Sequence, residues 1–175
     1  MRNWFGPVLF GLIVAAGTAY GAIAYAPFAL MNVAMDRLGQ GGVNTMSYGN
    51  LATPERQPVV RPSPDLAYSS CPFDLSAGPV AIDVTPVAGR YSSLSIFDAA
   101  TDVIFVRNDV EAAGKPYRII VAREGQAVPA GAEVVRTVHD RGIALIRLLL
   151  KDPGEITGLD AVRRQSSCAP VTKLK

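Results

Sequence analysis

The stretch PVAIDVT, residues 79–85, puts Val80, Ile82 and Val84 on one face of an extended chain and Ala81, Asp83 and Thr85 on the other. Successive side chains of a strand point to opposite faces, so this alternation reads as a strand with one face buried. Related signals recur downstream. Arg90–Asp98, Val103–Val106, Tyr117–Ala122 and Ala132–Val138 are short apolar or alternating runs, separated by breakers at Gly89, Asn108-Asp109, Gly114 and Pro129-Ala130-Gly131. Strand signals recurring at roughly 10-residue spacing favour a sandwich or a barrel.

Gly142–Lys151 is ambiguous, because Ile, Leu and Ala around a single Arg147 suit a buried strand or a short helix, and strand is the preferred reading. Asp152-Pro153-Gly154-Glu155 is a clearer signal: an acid at the cap, Pro at the first helical position and Glu three residues after the cap. A helix from Pro153 to about Arg164 would set Ile156, Leu159 and Val162 on one face. Arg163 and Arg164 in its last turn suit the negative end of the helix dipole.

Upstream the composition changes. No charged side chain stands between Arg2 and Asp36, and Trp4 to Met31 is apolar or small at nearly every position. A helix needs roughly 20 such residues to cross a 30 Å hydrocarbon core. Residues 1–38 are therefore read as a transmembrane anchor. Trp4 and Phe5 at one end, and Tyr20, Tyr25 and Phe28 toward the other, suit interfacial positions. The competing reading is a cleaved signal peptide ending at Ala24-Tyr25-Ala26, against which stand the length of the run and Pro27 directly after the cut. Arg2 and the terminal amine place the N-terminus in the cytoplasm, since Asp36 offsets Arg37 beyond the span. Gly17 and Gly21 form a small-xxx-small pair on which a second helix could pack closely.

Gly39-Gln40-Gly41-Gly42 ends the helix, and Pro54, Pro58, Pro62 and Pro64 follow among polar residues. Residues 39–58 read as an extended linker, with the compact domain starting near Val59 and running through 175. Net charge is +2, yet Asp65 to Lys175 holds 13 Lys/Arg against 13 Asp/Glu. A neutral domain argues against nucleic acid, whose binders need clustered basic charge. The two cysteines, Cys71 and Cys168, both fall beyond the predicted anchor, on the side that is oxidising in bacteria, and a disulfide between them is expected. The alternative is two free thiols.

Two blocks carry a family resemblance. Arg61-Pro62-Ser63-Pro64-Asp65-Leu66-Ala67-Tyr68-Ser69-Ser70, followed by Phe73-Asp74-Leu75-Ser76-Ala77-Gly78-Pro79-Val80, resembles the bacterial family called domain of unknown function twelve-fifty-four. Gly89-Arg90-Tyr91-Ser92-Ser93-Leu94-Ser95-Ile96-Phe97-Asp98-Ala99, the turn Val128-Pro129-Ala130-Gly131-Ala132 and the tail Arg147–Asp152 are similar to it in the same order, over about residues 59–170. Where the family pattern is closer to Asn-Pro-Asp-Thr-Leu-Tyr, this chain has Ser63-Pro64-Asp65-Leu66-Ala67-Tyr68, so a role of that Asn and Thr does not carry over. The resemblance implies a β-sandwich. In longer relatives a twelve-fourteen-type domain follows, which implies that a separate membrane protein supplies the missing half. It implies no reaction.

The expected fold is thus mainly β: an N-terminal transmembrane helix, then a β-sandwich-like domain with a short C-terminal helix. His139-Asp140 joins a histidine to an acid and Ser69, Ser70, Ser92, Ser93 and Ser95 offer hydroxyls, but no Gly-x-Ser-x-Gly elbow is present and a loop histidine is the better reading. One His and two distant Cys fall short of a metal site, and no phosphate loop opens a helix, so no cofactor is expected. Arg61, Asp65, Tyr68, Arg90, Tyr91 and Asp98 in the matched blocks could form a polar pocket at one end of the sandwich. The bland alternative is a turn acid, a core tyrosine and a surface Arg90–Asp98 pair. The function expected is a periplasmic interaction module tethered to the bacterial inner membrane, working with a membrane protein partner. A ligand binder or enzyme using the polar pocket is the alternative.

Overall fold

A computed structural model of the chain describes residues 4–39, 41–55, 57 and 62–171. The elements follow in the order α1 (Phe5–Leu38), β1 (Ser47–Tyr48), β2 (Leu66–Asp74), β3 (Val80–Val84), β4 (Ser92–Asp98), β5 (Val103–Asn108), β6 (Tyr117–Arg123), β7 (Val134–Thr137), β8 (Arg141–Leu149), a 3-10 turn (Pro153–Glu155), α2 (Ile156–Arg163) and β9 (Ser167–Pro170). The strands form two sheets, ordered β1-β2-β8-β4-β5 and β7-β6-β3-β9. Neighbours are antiparallel except β6 and β7, which are parallel.

The core lies between the sheets. Val80, Ile82 and Val84 are buried as the alternation requires, and they meet Ile119 and Val121 of β6 and Phe73, Leu94, Ile96, Ala144 and Ile146 of the other sheet. Cys71 on β2 and Cys168 on β9 are joined by a disulfide inside this cluster, so the bond ties one sheet to the other. Gly142 on β8 sits where a Cβ would come within 2.5 Å of the Phe73 ring and onto the Phe97 carbonyl, so the packing there admits only hydrogen.

Gly142–Lys151, ambiguous in sequence, is strand through Leu149. The C-terminal helix opens as read, with the Asp152 carboxylate accepting from the Gly154 N–H at 2.9 Å, although its first turn is 3-10. The Glu155 carboxylate accepts from the Lys151 N–H, and Ile156, Leu159 and Val162 pack over a second cluster of Ala67, Val87, Leu148 and Leu150.

The domain boundary needs correction. Residues 43–51, assigned to the linker, belong to the domain: Met46 is buried in the core, β1 pairs with β2, and Leu51 packs on the second cluster. Asn44 fixes the entry, its amide donating to the Asp74 carbonyl at 3.0 Å and accepting from the Asp74 N–H at 2.8 Å. Val59 itself lies outside the described residues.

α1 is a single helix of 34 residues that passes through Pro27, and it is long and apolar enough to cross a membrane. Its two ends differ. Met31 and Met35 are buried against Ile143 of β8, with Ala34, Leu38 and Phe97 around them, and the Ser70 hydroxyl donates to the Leu38 carbonyl at 3.2 Å. The N-terminal part stands clear of the domain, and an added Cβ at Gly17 or Gly21 would meet nothing within 4 Å.

Candidate functional site

The expected polar pocket is split: Asp98 stands apart from Asp65, Arg90 and Tyr91, which share the other end of the sheet. Arg61 lies outside the described residues. Asp65 and Tyr91 flank the end of β8, their carbonyls accepting from the Leu150 and Leu149 N–H groups. The Tyr68 hydroxyl accepts from the Ser63 N–H at 3.0 Å, which makes it a turn brace. Arg90 pairs with Glu155 at 2.5 Å instead of with Asp98. Asp98 stands at the far end of β4, about 20 Å from Ser92 at the rise of a strand. An antiparallel strand delivers its two ends to opposite ends of the sheet, so residues 90–91 and 98 cannot line one pocket.

Asp98 has a different set of partners. One carboxylate oxygen accepts from the Ala100 and Asp102 N–H groups at 2.9 and 3.0 Å, and the other meets His139 Nδ1 at 2.8 Å. The sequence neighbour Asp140 turns away to Arg123. His139 therefore pairs with an acid 41 positions away, and its ring packs edge-on against Phe28 of α1 at 5.4 Å. Among the described residues, the His139 ring bonds to Asp98 and the His139 N–H donates to the Thr137 hydroxyl, with no serine hydroxyl bonded to the ring. Among the described residues no group of three His, Cys, Asp or Glu could hold a metal ion.

A cleft of about 250 Å³ between the β1 loop and α2 is lined by Leu51, Ile156, Thr157, Asp160, Arg163 and Arg164. Its charges are consumed internally. Arg163, read as a dipole partner in the last turn, is buried and donates to the carbonyls of Gly49 and Tyr68 and to Asp160. The hydrogen bond from Arg164, together with Arg163, holds the Asp160 carboxyl below the usual range, and burial pushes the Tyr48 hydroxyl up beneath the two guanidinium groups. The cleft is smaller than the roughly 300–1,000 Å³ of ordinary ligand pockets, and it reads as a clamp holding α2 to β1.

The remaining surface of interest is the outer face of the five-stranded sheet. Because Ala144, Ile146, Leu94, Ile96, Cys71 and Phe73 point into the core, the alternate residues Leu145, Arg147, Leu149, Ser93, Ser95, Tyr68 and Ser70 point outward. α1 covers the end bearing Ile143 and Phe97. Beyond α1, Arg147 lies in register with Tyr68 on one side and Ser93 on the other. Its Nη2 donates to the Ser95 hydroxyl at 2.6 Å, while its Nε is buried without a hydrogen-bond partner among the described residues. Among the described residues Arg90, Arg107, Arg118, Arg123, Arg141, Arg163 and Arg164 each have a carboxylate, whereas Arg136 bonds to two carbonyls and Arg147, on this face, to a serine hydroxyl. Leu149 and Val106 extend the face as exposed apolar groups.

The model of the family described as Protein of unknown function (DUF1254) matches residues 43–170, which begins at the corrected domain start and ends on β9. The chain belongs to this family. The match takes in Asn44, Met46 and β1. Among solved structures, the VPA0106 protein from Vibrio parahaemolyticus aligns with a TM-score of 0.57 at 19% identity, over 63% of this chain and 29% of the other. It shows the same fold. A putative uncharacterized protein from Burkholderia cenocepacia aligns with a TM-score of 0.44 at 18% identity, over 63% of this chain and 32% of the other. The chain thus spans about three-tenths of each of these two proteins. No curated protein matches it significantly.

Proposed function

We propose that this chain is an interaction module of the bacterial inner membrane, anchored by α1 and holding its domain on the periplasmic side, where the outer face of the five-stranded sheet receives a protein partner. The observation that carries the reading is Arg147, a half-buried guanidinium with no carboxylate partner among the described residues, on a face where Leu149 and Val106 are exposed and Ser70, Ser93 and Ser95 are buried beside it. A guanidinium removed from water is stabilised when a carboxylate completes its hydrogen bonds, so the partner presents an acidic side chain amid apolar contacts that cover Leu149 and Val106. The apolar α1 supports the anchor, and the Cys71–Cys168 bond suits an oxidising compartment. A membrane protein bearing a twelve-fourteen-type domain is the proposed partner class.

A photoreactive residue replacing Leu149 in the full chain should give an adduct in native membranes. Charge-assisted hydrogen bonds contribute roughly 1.5–3 kcal/mol, so Arg147→Glu should lower the yield at least about tenfold while Arg147→Lys keeps part of it. Equal yields from all three, or an equal adduct from Asp83 on the opposite sheet, would remove this face as the site. A reporter active only in the periplasm, fused after Lys175, should be active; activity of a cytoplasmic reporter alone would reverse the orientation.

A further inference from the structure

α1 does not end where a membrane would. At 1.5 Å per residue, Phe5 to Pro27 spans about 34 Å, close to the thickness of a hydrocarbon core. The next residue, Phe28, makes the contact with His139, and from Met31 to Leu38 the helix lies bound along the sheet. The helix is continuous through Pro27, with no flexible link between the exposed part and the bound part. If α1 spans the bilayer, the turn carrying His139 stands at the height where the helix emerges.

That end of the domain is rigidly built. Asp98, 5% exposed, accepts from the N–H groups of its own turn and pairs with His139, and so holds the turn after β4 beside the turn before β8. Thr101 keeps a positive φ of 66° within the first of these turns. The rim carries apolar groups toward solvent: Val138 is 74% exposed and Val103 55%. Its exposed arginines, Arg123 and Arg141, are offset by Asp140 and Asp74.

We propose that this rim, formed by the Asp98–Val103 and Val138–Arg141 turns, seats on the lipid surface, with Val138 and Val103 in the interfacial layer. The inference rests on the anchor reading of α1. Arg123 and Arg141 are already paired and the Asp102 carboxylate is exposed beside Val103, so the rim offers no attraction to anionic headgroups; Val138 and Val103 make the contact, and uncharged phosphatidylcholine suffices for it. The sheet then stands upright, its Arg147 face turned sideways toward whatever shares the bilayer, and the end bearing Asp65, Arg90 and Tyr91 is held away from lipid.

The test uses tryptophan as the depth probe, because Trp4 is the one native tryptophan. In a Trp4→Phe background the full chain is reconstituted in phosphatidylcholine nanodiscs containing lipids brominated either near the headgroup or near the bilayer centre. Val138→Trp should lose most of its emission to the shallow bromines, Phe10→Trp should be quenched by the deep ones, and Val110→Trp at the other end of β5 should be unquenched. Quenching of Phe10→Trp with none at Val138→Trp would overturn the seat and leave the anchor standing. No quenching at Phe10→Trp would overturn the anchor reading and the seat with it. Quenching at Val110→Trp would show the domain lying on its side and overturn the upright orientation.

Discussion

Replacing Cys71 and Cys168 together by alanine removes a bond across 97 positions that ties β2 of one sheet to β9 of the other. In the chain-entropy model, closing a loop of this length contributes about 4.7 kcal/mol at 25 °C. For a domain of intermediate size each kcal/mol moves the midpoint by roughly 4 °C, so the variant should melt on the order of 15–20 °C below the disulfide-bonded chain. The loss should be uneven. β9 is a strand of four residues at the edge of its sheet among the described residues, so its amides should exchange first while those of β4 and β8 stay protected. The assay is thermal unfolding of the full chain in mild detergent, followed by near-ultraviolet circular dichroism, with hydrogen exchange read at β9. A midpoint shift below about 5 °C, far short of the chain-entropy value, would refute the reasoning. So would two free thiols in the unreduced, denatured chain taken from its native membrane.

Gly142→Ala should cost about 3 kcal/mol or more by overpacking, read as a fall in the urea midpoint, because the added carbon meets the Phe73 ring and the Phe97 carbonyl. Arg163→Leu should cost roughly 2–4 kcal/mol by stripping a buried guanidinium from two carbonyls and Asp160, and Arg163→Lys should not restore it, because an ammonium lacks the planar fork. Burial pushes the Tyr117 hydroxyl up to about 12. A raised folded-state value means that this contribution is intact below the ordinary value of 10.0 and is lost as pH rises toward 12, so alkaline unfolding in that window should be weaker in Tyr117→Phe.

The sequence by itself determined the features written in short-range order. Alternation in residues 79–85 gave β3 and its buried face, because a strand repeats every two residues whatever it pairs with. The Asp152-Pro153 start of the helix and the apolar length of α1 were equally local, and the two cysteines followed from count and predicted compartment. Tertiary structure alone decided the rest. β1 and β9 are two and four residues long, too short for any periodic signal, and they exist because β2 and β3 offer them partners. Among the described pocket candidates, strand order and direction carry Asp98 to the end opposite Asp65, Arg90 and Tyr91, and Asp98 finds His139 across the fold. Arg163 looked like a surface charge at a helix end, yet the carbonyls that bury it come from Gly49 and Tyr68. Periodicity tells a residue which face it occupies, whereas its neighbour on that face is set by strand pairing between distant segments, and no local pattern encodes that.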